Sequence, residues 1–122
     1  MIDIVINPGL EMPIYQQLFE SVRSGILTGK FPANFCLPPI RSISRELGIS
    51  VITVKKAWEE LEHAGLIYSV TGRGCFVASL HPEAMEKKKR ELVQARMQED
   101  FAYYRSFGLS KEDILHIFEK IE

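Results

Sequence analysis

The stretch that most limits how this chain folds lies between residues 40 and 64, where two short amphipathic segments meet across three residues. Ile40, Ile43 and Leu47 fall at helical spacing, and Val54, Ala57, Trp58 and Leu61 share one face of a second helix. Gly48 supplies the left-handed turn that ends the first helix, and Ser50 a hydroxyl to cap the second. Helices joined by Gly48, Ile49 and Ser50 alone must turn sharply on each other, which is the connection a helix-turn-helix uses.

The flanking segments fit around that pair. Residues 13–29 predict a preceding helix on the stripe Ile14, Leu18, Val22 and Ile26, widened by Tyr15, Phe19 and Leu27, with Pro13 in its first turn and a stop near Gly25 or Gly29. Three prolines and Asn34 make residues 30–39 a non-helical connection. Beyond the second helix of the pair, closed by Gly65, the runs 66–70 and 75–79 bracket Thr71, Gly72, Arg73 and Gly74 and read as a β-hairpin. At His81 and Pro82 the composition shifts to a charged, glycine-free helix reaching Phe107, with Val93, Met97, Phe101 and Tyr104 on one stripe. Gly108 ends it, and Ser110 with Asp113 resembles a capping box for a last helix whose stripe is Ile114, Leu115, Phe118 and Ile121. The expected architecture is mainly α with a small β-hairpin, in two pieces, residues 1–79 and 80–122.

Charge and composition narrow the function. The 122 residues carry fifteen Lys and Arg against sixteen Asp and Glu, a net charge of −1, so any polyanion site is local and not a matter of bulk charge. Neither piece is a basic tail: residues 1–79 hold seven basic and seven acidic side chains, residues 80–122 eight and nine. Cys36 and Cys75 stand far apart with no CxxC pair and no His at ligand spacing, which points to a reducing compartment and to no metal or cofactor. Residues 1–10 contain Asp3, Asn7 and Pro8 and lack a basic-then-apolar leader, and no segment approaches the ~18 apolar residues of a membrane span, so the expected location is cytoplasmic, without a membrane partner. His63, His81 and His116 sit in unrelated contexts with no nucleophile motif, phosphate loop or paired carboxylates, and an enzyme is not expected.

The distribution of cations is more telling than their number. Arg41, Arg45, Lys55 and Lys56 stand against the single acid Glu46 between residues 41 and 56, and Arg73 joins them at the hairpin tip. With Val54, Trp58 and Leu61 turned inward, the second helix of the pair shows Val51, Ile52, Lys55, Lys56 and Glu59 outward, and Ser50 and Thr53 in its first turn. A lysine donates to guanine acceptors, Val or Ile touches a thymine methyl, and a hydroxyl at a helix N-terminus holds a phosphate. The same lysines also fit a solvated face paired with Glu59 and Glu60. Arg41 and Arg45, one turn apart, suit phosphate clamping, or a base contact by Arg41, although Arg45 has an acid nearby to pair with. Gly72 and Gly74 around Arg73 let a backbone approach a minor groove closely, or simply make a turn.

Several spaced motifs then agree with one family. Pro13-Ile14-Tyr15-Gln16-Gln17, Leu37-Pro38 with Ile40-Arg41, Glu46-Leu47-Gly48-Ile49-Ser50, Thr53-Val54-Lys55-Lys56-Ala57, Leu61-Glu62, Gly65-Leu66-Ile67 and Gly72-Arg73-Gly74-Cys75-Phe76-Val77 resemble, in order and interval, the GntR family of bacterial winged helix-turn-helix repressors. The resemblance covers residues 13–79. It implies that the helix around Thr53 to Lys56 reads a major groove, that the wing tip at Gly72 to Gly74 enters the minor groove, and that Arg41 and Lys55 match DNA-contacting positions. The DNA-binding candidates are therefore Arg41, Arg45, Ser50, Val51, Ile52, Thr53, Lys55, Lys56, Gly72, Arg73 and Gly74. Val51 stands where many members carry a base-contacting arginine, Pro39 where a serine often caps, and Cys75 where threonine is common. The first departure shifts readout toward methyl groups and shape.

The 43 residues after the hairpin are too few for the large effector domains of most branches and resemble the short dimerisation tail of the YtrA-type branch. Val93, Met97, Phe101, Tyr104, Ile114, Phe118 and Ile121 are the dimerisation candidates, since the longer stripe exceeds what one short helix covers. Either a symmetric partner or the chain's own winged domain covers the rest. The basic run Lys87, Lys88, Lys89 and Arg90 reads as a solvated face or a DNA contact. The expected function is a homodimeric repressor bound to double-stranded DNA at an inverted repeat, with an effector of unknown identity or none. The alternative is a winged helix used as a protein-interaction module through Val51 and Ile52.

Overall fold

The computed structural model describes residues 3–122, so the part of the N-terminal reading that concerns Met1 and Ile2 lies outside it. In chain order the elements are α1 (Ile14–Leu27), α2 (Ile40–Leu47), α3 (Val51–His63), β1 (Ile67–Val70), β2 (Gly74–Val77), α4 (Pro82–Arg105) and α5 (Lys111–Glu119). The chain divides into two compact units between Leu80 and His81. It is mainly α with a small antiparallel hairpin.

In the first unit the apolar stripes read from the sequence turn inward. Leu18, Val22 and Ile26 of α1, Ile43 of α2, and Val54, Ala57, Trp58 and Leu61 of α3 are buried with Leu66, Ile67 and Val77 from the hairpin. Pro13 is the N-cap residue of α1, one position ahead of the helix, with no side-chain cap bond. Gln17, a buried polar residue, ties down the segment before that helix. Its amide oxygen accepts the Asn7 N–H at 2.9 Å, while its nitrogen donates to the carbonyls of Asn7 and Met12, both at 2.9 Å. Of the two glycines that could close α1, Gly29 takes positive φ (82°). Gly25 stays helical within α1, and its missing side chain makes room for Phe31, whose ring would lie 2.3 Å from a Cβ there.

The connection between α1 and α2 is more ordered than its prolines suggest. Asn34 donates its backbone N–H to Val77 at 2.8 Å, Leu37 to Cys75 at 2.9 Å, and Phe35 accepts from Val77 at 2.9 Å. With the Cys36–Phe76 bridge, this segment lies along the free side of β2. β2 therefore has neighbours on both sides.

The helix-turn-helix corner closes through backbone bonds. Gly48 adopts φ 68° and ψ 34°, and its N–H bonds to the Ser44 carbonyl, as does that of Ile49 at 3.1 Å. The Ser44 hydroxyl donates to the Ile49 carbonyl. Ser50 then caps α3, accepting the Thr53 N–H at 3.1 Å.

In the second unit His81 caps α4, its Nδ1 accepting the Glu83 N–H at 3.3 Å. The helix ends at Arg105, two residues before the expected Phe107, because Ser106 and Phe107 turn toward Gly108 (φ 84°). Ser110 and Asp113 form the full capping box of α5. Ile121 falls beyond that helix. Neither α4 nor α5 buries a single residue.

Candidate nucleic-acid interface

The hairpin presents its tip on a three-residue turn. β1 and β2 pair Ile67 with Val77, Tyr68 with Phe76, Ser69 with Cys75 and Val70 with Gly74. Thr71, Gly72 and Arg73 span the end, the Arg73 N–H bonding to the Val70 carbonyl at 2.9 Å. Gly72 has φ 78°, a value suited to the third position of a tight turn and strained for a side-chain-bearing residue. The turn thus holds the Arg73 backbone at the extremity of the sheet, with its side chain exposed.

On α3 the expected inward set is buried and the expected outward set is exposed. Ile52 is 79% exposed and Val51 37%. Thr53 is half-buried, and its hydroxyl lies 2.7 Å from that of Ser50, so these two groups first serve the helix cap. On α2, Arg41 and Arg45 are exposed one turn apart.

The cations of the first unit fall into two sets. Arg23 pairs with Glu20 at 3.6 Å and lies 5.0 Å from the Phe19 ring centroid. Lys30 sits 5.6 Å from the Phe31 centroid and Lys56 4.0 Å from that of Tyr15. Arg41, Arg45, Lys55 and Arg73 have, among the described residues, no ion pair and no cation–π contact. The Lys55–Glu59 and Lys56–Glu60 pairs allowed by spacing do not form, nor does a pair between Arg45 and an acid. The basic run of α4 behaves otherwise: Lys87 pairs with Glu91 at 3.9 Å and Lys89 with Glu86 at 3.3 Å.

Two ties were not foreseen. Ser69 of β1 donates to Glu62 of α3 at 2.7 Å, fastening the hairpin to that helix. Tyr68 donates to Asn34 at 2.9 Å across the sheet. Neither is signalled by local pattern, because each joins residues whose proximity exists only after folding. Tyr15, read simply as part of a stripe, proves to be the seat of Lys56.

In the second unit Val93, Met97, Tyr104, Phe118 and Ile121 are exposed, and Phe101 and Ile114 half-buried. Among the described residues no group of three or more His, Cys, Asp or Glu is placed to hold a metal ion. No described helix is long and apolar enough to cross a membrane.

A three-helix unit whose second and third helices form a tight corner, followed by a hairpin carrying an arginine tip, is a winged helix-turn-helix. The description "Bacterial regulatory proteins, gntR family" matches residues 14–77. The chain belongs to this family of DNA-binding transcriptional regulators. It is 31% identical over 94 residues to the HTH-type transcriptional repressor YtrA of Bacillus subtilis, covering 77% of this chain and 67% of that protein. A GntR family transcriptional regulator from Listeria monocytogenes superposes with a TM-score of 0.75 at 26% identity, over 92% of this chain and 97% of the other. The AraR DNA-binding domain, solved in complex with operator ORX1, gives a TM-score of 0.56 at 32% identity over 63% and 96% of the two chains. The chain spans 17%, 30% and 30% of three other curated relatives, which are much longer proteins.

Proposed function

We propose that the chain acts as a homodimeric repressor that binds an inverted-repeat operator, α3 in the major groove and the hairpin tip in the minor groove. The observation that carries this reading is the segregation of its charges. In a first unit with as many acids as bases, the four side-chain cations that have, among the described residues, no ion pair or cation–π contact all lie on α2, α3 and the hairpin tip. Unpaired guanidinium and ammonium groups in such positions are free to replace counterions on phosphates or to donate to base edges. Arg41 and Arg45 suit the backbone, Lys55 a guanine, Val51 and Ile52 thymine methyl groups, and Arg73 the narrow groove.

Dimerisation is supported by the second unit, whose two helices leave no residue fully buried. Helices with exposed apolar stripes and no fully buried residue gain stability from a partner, and a second copy supplies one with two-fold symmetry matching a palindromic site. The test is selection of duplexes from a random pool by the intact protein, followed by affinity measurement across a salt series. Enrichment of an inverted repeat whose binding weakens steeply with salt is expected. No enrichment, or affinity indifferent to salt, refutes the proposal.

A further inference from the structure

α3 meets its neighbours on two different flanks. On one, Glu62 accepts the hydrogen bond from Ser69 of β1, and Lys55, seven residues earlier, lies about two turns away on the same side. On the other, Lys56 holds its ammonium 4.0 Å from the centroid of the half-buried Tyr15 ring of α1. Glu60, one turn beyond Lys56, lines a cavity there with Tyr15, Phe19 and Arg23. Adjacent helical residues point about 100° apart, so the two lysines address different surroundings although they are neighbours in sequence. The ring face attracts the ammonium electrostatically, and no carboxylate among the described residues forms an ion pair with it.

We infer that Lys56 is a positioning residue and not a DNA contact: with Tyr15 it forms a clamp that sets the roll of α3 against α1 and thereby aims Lys55. This rests on the DNA-binding reading above. α3 then offers one lysine to the duplex, and Tyr15 acts on recognition without touching it.

The experiment uses a 30-base-pair duplex selected by the wild-type protein, with anisotropy titrations over a potassium chloride series and circular dichroism to verify folding. Lys55→Gln and Arg73→Gln are each expected to reduce the slope of log K against log salt by about 1.8, since each removes two cations from the dimer. Lys56→Gln is expected to leave that slope unchanged while lowering affinity by no more than about two- to five-fold per subunit, the scale of an exposed cation–π pair. Tyr15→Phe keeps the ring and wild-type affinity. Tyr15→Leu reproduces Lys56→Gln, and the double variant is no weaker than either single one. A slope loss in Lys56→Gln equal to that in Lys55→Gln, or additive effects of Tyr15→Leu and Lys56→Gln, overturns the inference and leaves DNA binding standing. Failure of the wild type to select or bind any duplex overturns the proposed function and the inference with it.

Discussion

Gly25 shows how one residue is fixed by a neighbour that sequence periodicity cannot reveal. Its helical position would ordinarily favour alanine, by just under about 1 kcal/mol. The Phe31 ring occupies the space a Cβ needs, and overpacking of this kind costs about 1–3 kcal/mol. Gly25→Ala is therefore expected to destabilise the protein in urea titrations, and Phe31→Leu in the same chain to recover part of the loss. Asp113 gives a second test at this scale. Hydrogen bonds from the backbone and then the hydroxyl of Ser110 hold its carboxyl below the usual carboxylate range, with a smaller contribution from His116. A carboxyl depressed by folding stabilises the folded state above its unfolded-state value, and loses that contribution as pH falls through the folded value. The helicity advantage of wild type over Asp113→Asn is thus expected to shrink on acidification through the carboxylate range, as followed by circular dichroism. For recognition, Arg73→Ala is expected to weaken binding to all duplexes, most where the minor groove is narrow, and Lys55→Ala to blur discrimination at single base pairs, which competition titrations separate.

Elements were legible in the sequence wherever a local signal sufficed. Gly48 and Ser50 announce the corner, Ser110 and Asp113 announce α5, and the four-residue recurrence from Ile14 to Ile26 announces α1. The strand-like pairing of residues 34–37 was hidden because proline and asparagine argue against a strand, and its partner, β2, lies some forty positions on. The outward set on α3 followed from helical geometry. The separate placement of its two lysines did not, since it depends on where α1 lies. The corner itself can be tested. Gly48 has open space for a Cβ but a positive φ, so Gly48→Ala incurs backbone strain of about 1–2 kcal/mol without a clash. A melting temperature lower by about 4–8 °C per kcal/mol is expected, with the helical spectrum retained.

At the scale of the molecule, the proposed dimer can be tested through the apolar side chains that the second unit leaves open. Met97 is 60% exposed and Phe118 64%, so a charge on either would disturb a single chain little and meet an apolar partner in the proposed dimer. Met97→Glu and Phe118→Glu are expected to shift the protein toward monomer in sedimentation equilibrium and to weaken operator binding with α1 to β2 intact. The near-neutral total charge makes affinity depend on few contacts, so each cation removed is felt in the salt response. The flanked position of β2 carries this further. The backbone that carries Arg73, on a short turn beside a strand paired along both edges, has little compliance, although the guanidinium stem keeps its rotamers. For the minor-groove placement proposed above, a misfit in groove width falls on the nucleic acid and the arginine stem, and A-tracts, already narrow, are the expected preference.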